Sequence, residues 1–431
     1  MVTDNNPELK AIWQKPAYRK TLLLLGGTIV GLLLGELGLR GWACKNAGSW
    51  RPLFAAAVSS TSVWRLDPVR NHARREGTRF IETGNPPGLE YCTCAEIGAQ
   101  GLNDDLVPIP KPPGEFRILV LGDSFVEAIQ VPRQQNFCKR LERLLSARQH
   151  RNVRVINAGV TTYSPLLEYL YFTQELVSIK PDAVLQVFFA NDVYDDLRYS
   201  ALAQFDTSGL PVAVAPGDHW IVFPRRKPLR ESSREQWAFR RAPTEGSSWL
   251  ASQSYLAALI WHFVAIRQLN SAFAQLPMND EFFILEDNQE LVEPQQKGWE
   301  LTRRYIGLLK AACDRAGARY FLTSAPIASQ VYGHTSYDHF FFRGRPTEAD
   351  QVHLKAIAAE LHVPFVDLLS ALRTAGDGLY FPHDGHWTAK GHRVVAETLA
   401  PALSLVIGQA PAQSPASAFP TGTNRIKPPG E

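Results

Sequence analysis

The stretch RILVLGDSFVEAIQVP, residues 117–132, contains the feature on which the interpretation of this sequence depends. Its first half is an apolar run, which is typical of a strand covered on both faces of a parallel sheet. The run leads directly into Gly122, Asp123 and Ser124. In open parallel sheets the active residues collect beyond the carboxyl ends of the strands. Ser124 is therefore either a nucleophile at that edge or an ordinary turn residue.

Four more apolar runs follow this strand, and helical patterns separate them. The predicted strands are 116–123, 153–159, 182–192, 319–327 and 364–369. Ser164 and Pro165 predict the start of one intervening helix, and Gly317 predicts the end of another. This alternation predicts an α/β domain at residues 115–405, a three-layer α/β/α sandwich with a parallel sheet.

Three segments depart from this rhythm. Residues 195–295 form an insertion in which aromatic residues lie beside arginines. The insertion is equally compatible with two interpretations. One is contact with a carbohydrate or an anionic polymer, and the other is a lobe that packs only on itself. The insertion contains SYLAALIWHFVAIRQL, residues 254–269, which predicts a helix. Residues 41–114 are interpreted as an irregular approach segment and 406–431 as a disordered tail.

Residues 21–40, TLLLLGGTIVGLLLGELGLR, have the composition of a membrane-spanning helix. Four basic residues precede it, which predicts that residues 1–20 stay in the cytoplasm: Lys10, Lys15, Arg19 and Lys20. A cleaved signal peptide is the alternative, but its basic region would be unusually long. We therefore expect an uncleaved anchor at 21–40, with the remaining chain outside the cytoplasm.

Charge and cysteine content exclude several classes of protein. Lysine and arginine exceed aspartate and glutamate by only 45 − 42 = 3, which argues against nucleic acid as the main partner. The five cysteines are too few and too scattered for a disulfide framework. Cys92 and Cys94 lack the further ligands of a zinc site, so they form a local bridge or remain unpaired thiols. Asp195 and Asp196 are interpreted as solvated.

A nucleophilic serine needs a base, an orienting acid and donors for an oxyanion. Gly159 lies at the carboxyl end of the second predicted strand and Asn191 at that of the third, so both reach the same edge as Ser124. His386, after the last strand, is the candidate base. Asp384 precedes it by two residues and can bond its Nδ1–H.

These four blocks, in this order, resemble the SGNH hydrolases, also called GDSL-like esterases and lipases. The blocks are Gly122-Asp123-Ser124, Gly159, Ala190-Asn191-Asp192 and Asp384-Gly385-His386. The resemblance implies a flavodoxin-like sheet, with Ser124 as nucleophile and no metal or cofactor. It also implies an oxyanion hole made by the Ser124 and Gly159 backbone N–H groups and the Asn191 side chain.

Two positions depart from the usual pattern of the family. Ala190 stands where many members have glycine. His383 stands where the family's aspartate lies, in Asp-x-x-His, whereas this chain has Asp384-x-His386 followed by Trp387. That arrangement is similar to a branch that acetylates bacterial exopolysaccharide. We therefore assign the acid role to Asp384 rather than to His383.

The sequence thus predicts a serine esterase, held at the bacterial inner membrane by one helix, that hydrolyses an O-acyl ester on an envelope carbohydrate or lipid. The first alternative is an O-acyltransferase for a surface polysaccharide, because a sugar hydroxyl can replace water with the same residues. The second is a non-catalytic envelope protein on the same fold, against which the presence of Ser124, Asn191 and His386 argues.

Overall fold

A computed structural model describes most of the chain but not all of it. The described residues are 16–47, 63–83, 90–216, 253–257, 259–260, 280–285, 287, 289, 292–333, 336–337, 340–341, 346–382 and 384–407. Four parts of the sequence interpretation fall wholly or mostly outside these ranges. They are residues 1–15 of the predicted cytoplasmic segment, most of the 195–295 insertion with most of its predicted helix, the tail from 408 onward, and His383.

The chain's described part begins with helix α1, Pro16–Ala47, which contains the predicted anchor. Its stretch Arg19–Trp42 is the one helix among the described residues with the length and composition to cross a membrane, and none of that stretch is buried in the protein. At 1.5 Å per residue it is about 36 Å long, enough for a hydrocarbon core of about 30 Å. The helix is compatible with a single-pass anchor, and a signal sequence has the same composition.

Two antiparallel hairpins follow, in the segment that the sequence analysis treats as irregular. Strand β1, Trp64–Asp67, pairs with β2, Asn71–Arg74, and β3, Arg79–Thr83, pairs with β4, Cys92–Glu96. The many charges here hide the strand pattern in the sequence because several are buried in ion pairs rather than solvated. The guanidinium of Arg70, for example, contacts Asp67 at 3.0 Å, with both side chains buried.

The predicted parallel sheet is present and has five strands. The remaining strands in the described part of the chain are β5 Phe116–Gly122, β6 Val153–Asn157, β7 Ala183–Phe189, β8 Ala203–Phe205, β9 Pro211–Val214, β10 Arg319–Ala325, β11 Ser336–Tyr337, β12 Phe340–Phe341 and β13 Phe365–Val366. The sheet order is β13-β10-β7-β5-β6, and every pairing in it is parallel. This is the flavodoxin-like order, in which the direction of winding reverses at β5 and β7.

Helices cover both faces of the sheet. They are α2 Ser124–Glu127, α3 Phe137–Gln149, α4 Pro165–Gln174, α5 Asp192–Ser200, α6 Val292–Arg315, α7 Ala328–Tyr332, α8 Ala349–Glu360, α9 Leu368–Ala375 and α10 Ala389–Ile407. Helices α3 and α9 pack on α10, whereas α4, α5 and α6 pack on one another. The predicted three-layer α/β fold is confirmed. Every residue of β5 and β7 is buried, as their continuous apolar runs require.

Candidate active site

Ser124 is the first residue of α2, immediately beyond the carboxyl end of β5. The carboxylate of Asp123 caps the short helix by accepting a hydrogen bond from Phe125 N at 2.9 Å. Burial raises the pKa of Asp123 to about 6. The Ser124 side chain is half-buried, so its hydroxyl lies at the surface of the sheet edge.

The base and the acid meet Ser124 at this edge. His386 Nε2 lies 2.7 Å from Ser124 Oγ, and His386 Nδ1 lies 2.6 Å from Asp384 Oδ1. These are hydrogen-bond distances at both ends of the imidazole. An imidazole held between a hydroxyl and a carboxylate can remove the hydroxyl proton, which is what activates a serine nucleophile.

In this candidate triad, His386 and Asp384 each stabilise the charged form of the other. Burial acts to lower the pKa of His386, but the adjacent Asp384 carboxylate outweighs it, and the pKa is raised above its ordinary value. Burial likewise acts to raise the pKa of Asp384, and the His386 interactions lower it overall. The side chains are 22% and 11% exposed, so solvent screens this attraction only in part. Asp384 is therefore anionic at neutral pH and stabilises the imidazolium that forms during proton transfer.

Aromatic packing fixes the plane of the imidazole. The Phe125 ring lies 4.8 Å from the His386 ring and 4.8 Å from Trp387, which is fully buried. Trp387 thus packs against Phe125, which contacts the His386 ring, and does not line an open pocket. Thr388 begins the following helix, since its Oγ1 accepts a hydrogen bond from Gly391 N at 3.3 Å.

The second block reaches the triad because the chain after β6 stays paired with β5. Val160 N donates to Gly122 O at 3.1 Å. At Gly159 a side chain is excluded, because a Cβ would lie 2.3 Å from Glu127 N. The Gly159 N–H donates to Asn157 Oδ1 at 3.0 Å in this structure. To donate to an oxyanion, this N–H must either form a bifurcated hydrogen bond or break its hydrogen bond to Asn157 Oδ1.

Asn191 precedes α5 at the end of β7. Its Nδ2 donates one long hydrogen bond, 3.4 Å, to Asp195 Oδ2, which leaves the amide able to turn toward a stronger acceptor. Ala190, beside it, is fully buried. The three positions predicted to form the oxyanion hole therefore all lie beyond the carboxyl ends of β5, β6 and β7.

Two residues that the sequence analysis did not identify hold Asp384 in place. The hydroxyl of Tyr91, just before β4, donates to Asp384 Oδ2 at 2.8 Å. The Glu90 carboxylate accepts a hydrogen bond from Asp384 N at 2.9 Å. In the structure, buried Tyr91, Thr93 and Ala95 alternate with less buried neighbours, as in a strand with one covered face. The sequence carries no signal that links Tyr91 or Glu90 to Asp384.

A buried ion pair supports the helix that carries Ser124. Arg74 Nη2 donates to Glu127 Oε2 at 2.8 Å, and both side chains are buried. Glu127 also accepts hydrogen bonds from the hydroxyl and the backbone N–H of Thr161. The Arg74 guanidinium lies 3.6 Å from the centre of the Trp64 ring. The first hairpin, α2 and the loop after β6 are thus joined at one carboxylate.

The other candidate residues have structural positions. His392 is buried and stacks on Phe137, whose N–H it accepts at 3.3 Å. Cys92 and Cys94 are unpaired thiols in β4. Within the described ranges, no group of three or more histidine, cysteine, aspartate or glutamate residues is arranged to hold a metal ion.

The carboxyl-terminal part of the chain matches a family model. Residues 282–430 match the SGNH hydrolase-like domain of the acetyltransferase AlgX. The chain carries an SGNH hydrolase-like domain. The superfamily resemblance predicted from the four blocks is confirmed. The matched range includes Asp384 and His386 of the candidate triad, whereas Ser124 precedes it.

Several solved structures are similar to this chain at low sequence identity. The structure of TesA is 14% identical, covers 67% of this chain and 99% of its own, and gives a TM-score of 0.36. The acetyl xylan esterase AlAXEase is 10% identical, with coverage of 67% and 100% and a TM-score of 0.36. A mutant of the acetylxylan esterase Axe2 from Geobacillus stearothermophilus is 15% identical, with coverage of 68% and 94% and a TM-score of 0.35. No curated protein sequence matches this chain.

Proposed function

We propose that this protein is a membrane-anchored serine esterase that hydrolyses an O-acyl ester through an acyl-enzyme. The observation that carries the proposal is the position of His386, which lies within hydrogen-bond distance of both Ser124 and Asp384. A serine, a histidine and a carboxylate in this order are the groups that acyl transfer to and from a serine needs.

The first half-reaction forms the acyl-enzyme. Ser124 Oγ attacks the ester carbonyl while His386 Nε2 takes the hydroxyl proton, and Asp384 stabilises the resulting imidazolium. The oxyanion would receive hydrogen bonds from Ser124 N, Gly159 N and Asn191 Nδ2. His386 then gives its proton to the leaving alcohol, which departs and leaves the acyl group on Ser124.

The second half-reaction decides between hydrolysis and transfer. When water attacks, His386 takes its proton and returns it to Ser124 Oγ as the acyl–serine bond breaks. The carboxylic acid leaves, so the enzyme is an esterase. When a sugar hydroxyl attacks in the same way, the product is a new ester and the enzyme is an O-acyltransferase. The match of residues 282–430 to the SGNH hydrolase-like domain of the acetyltransferase AlgX supports this second candidate. For it we propose an envelope polysaccharide as the acceptor.

Location follows from α1. We propose that Arg19–Trp42 is an uncleaved anchor in the bacterial inner membrane, with the basic residues before it in the cytoplasm and the SGNH-like domain outside. A reporter fused after Glu431 should be active only outside the cytoplasm. A cytoplasmic signal would reverse this topology.

The catalytic proposal is tested with the full chain in detergent, using a short-chain aryl ester and a fluorophosphonate probe. We expect the native chain to turn over the ester and to be labelled at Ser124, and Ser124→Ala to lose both while its thermal unfolding stays unchanged. Appreciable turnover by the folded Ser124→Ala protein would remove the nucleophile assignment. A native chain that folds but neither turns over nor labels would favour a non-catalytic envelope protein.

Hydrolysis and transfer are separated by their products. The native chain is incubated with an acyl ester and an oligosaccharide acceptor, and the products are measured by mass spectrometry. Free carboxylic acid alone supports the esterase, and acylated oligosaccharide that is absent with Ser124→Ala supports the transferase. In cells, loss of polysaccharide acyl groups on deletion indicates transfer, whereas a gain indicates hydrolysis.

A further inference from the structure

A carboxylate lies inside the apolar helix and has a complete set of partners. Glu36 belongs to the stretch Arg19–Trp42, where an ionised side chain is costly unless it is paired. One of its oxygens accepts from Arg40 Nε at 2.7 Å and from Tyr255 N at 3.1 Å. The other accepts from Ser254 Oγ at 2.7 Å and from Leu256 N at 2.9 Å.

Three of these four donors come from one short segment of the insertion. Residues 255–257 form a helical turn, and Ser254 Oγ accepts a hydrogen bond from Ala257 N at 3.1 Å. Glu36 therefore bonds backbone N–H groups that the first turn of a helix leaves without partners. Arg40, one turn further along α1, donates to Gln253 O at 2.5 Å. The two side chains, four residues apart, together bind residues 253–256.

The position of Glu36 gives the depth at which this segment lies. Trp42 lies six positions after Glu36, or about 9 Å further along the helix axis. The segment is also apolar, since residues 255–261 read YLAALIW. The Ile260 side chain is 55% exposed in the protein, and Leu33 and Leu37 on α1 are exposed to about the same extent. Exposed apolar side chains such as these are unfavourable in water. At this depth in the bilayer they would contact lipid instead.

We propose that residues 253–257, 259 and 260 dock on the Glu36–Arg40 pair within the bilayer, so that the insertion holds the protein to the membrane at a second point and its apolar side chains contact lipid. The proposal rests on the anchor proposed above. It accounts for a carboxylate in a membrane-type helix, and it makes α1 a binding surface for the folded chain in addition to a tether.

The lipid contact is tested by spin labelling of the full chain in lipid nanodiscs. A nitroxide is placed at Ile260→Cys, with Cys44, Cys92 and Cys94 changed to serine and the buried Cys138 and Cys313 left in place. Val352→Cys on α8 is the matched control, because Val352 is also an exposed aliphatic residue, at 64%. We expect collisions with oxygen to dominate at Ile260 and collisions with a water-soluble nickel complex to dominate at Val352. Equal nickel accessibility at the two positions would overturn the proposal.

The role of Glu36 is tested by the distance between two labels, at Leu33→Cys and Ile260→Cys. We expect one narrow distance distribution that becomes broad in Glu36→Leu and stays narrow in Thr28→Leu. Thr28 is the matched control because its hydroxyl bonds only to Leu24 O within its own helix. A broad distribution in the native chain, or a narrow one that Glu36→Leu leaves unchanged, would contradict docking at Glu36.

Carbonate extraction of membranes separates failure of this inference from failure of the anchor. If carbonate releases the native chain, α1 is not a membrane anchor and both proposals fall. If the chain stays in the membrane while Ile260 is accessible to nickel, the anchor stands and the docking proposal alone is wrong.

Discussion

The hydroxyl of Tyr91 donates a 2.8 Å hydrogen bond to Asp384 Oδ2, across 293 positions of sequence. The other oxygen of the same carboxylate binds the imidazole of His386. A hairpin that precedes the SGNH-like sheet thus holds the acid of the candidate triad. Burial and the Asp384 charge raise the pKa of Tyr91, so its hydroxyl stays protonated and remains a donor.

Tyr91→Phe should therefore lower the rate of ester turnover without unfolding the protein. A hydrogen bond to a charged group is worth about 1.5–3 kcal/mol, which corresponds to a loss in kcat of roughly 10- to 100-fold if the carboxylate loses its orientation. KM should change little, because Tyr91 acts through Asp384. Tyr163→Phe is the control, since its buried hydroxyl bonds to His72 O rather than to Asp384. Equal losses in kcat for both variants would show a general effect of packing.

The pH profile should show which residue is the acid. His386 must be neutral to take the serine proton, so activity falls as the pH drops through its pKa, which Asp384 raises. Asp384→Asn removes that carboxylate, so the acidic limb of kcat/KM should move to lower pH while the plateau falls by about 10⁴-fold. Asp123 and Glu127, which also raise the His386 pKa, remain and limit the shift.

His383→Ala is the comparison for this experiment and should cost less than Asp384→Asn. If His383→Ala moves the acidic limb and Asp384→Asn does not, the acid role belongs elsewhere than Asp384.

The sequence does not predict which charged residues of this protein are buried. Continuous apolar runs predict the five parallel strands and the sheet edge where Ser124, Gly159 and Asn191 meet. The signal is clearest for β5 and β7, whose residues are all buried because both faces of these strands are covered. The hairpins were missed because Arg70 and Arg74 read as solvated charges yet are buried with partners distant in sequence. No local pattern reveals a tertiary ion pair.

The interpretation of Asp195 and Asp196 as solvated was wrong for the same reason. Both are buried in α5, where Asp195 contacts Arg198 at 3.0 Å and Asp196 accepts a 2.8 Å hydrogen bond from Thr302 on α6. Two adjacent acids are most often exposed, and only the packing of α6 on α5 places these inside.

Asp196 should make stability depend on pH. Burial raises its pKa to about 7 from an ordinary value of 3.8. Because the folded pKa is the higher one, the stabilisation is fully present below about pH 4 and is lost progressively as the pH rises to about 7. The loss is at most about 4 kcal/mol. Asp196→Asn should flatten this fall in the thermal midpoint between pH 4 and 8. Asp206→Asn removes an exposed carboxylate, so the fall in the thermal midpoint between pH 4 and 8 should be the same as in the native chain.

The Arg74–Glu127 ion pair should contribute to both stability and activity. Glu127→Gln leaves a buried guanidinium without its anionic partner, and breaking such a pair costs about 3–5 kcal/mol. The same change weakens the contact that joins α2 to the first hairpin and to Thr161, so Ser124 should lose its fixed distance to His386. We therefore expect a lower free energy of unfolding together with a lower kcat.

The control for this last prediction is Glu360→Gln, which removes an ion pair with Arg303 whose side chains are 49% and 57% exposed. Exposed pairs are worth about 0–1 kcal/mol, because solvent screens them and ordering two long side chains costs entropy. Unfolding by denaturant and ester turnover are measured for both variants. Equal effects of the two changes would mean that the buried pair adds nothing beyond an ordinary surface contact. A stability loss for Glu127→Gln with full kcat would mean that α2 keeps Ser124 in place without the first hairpin.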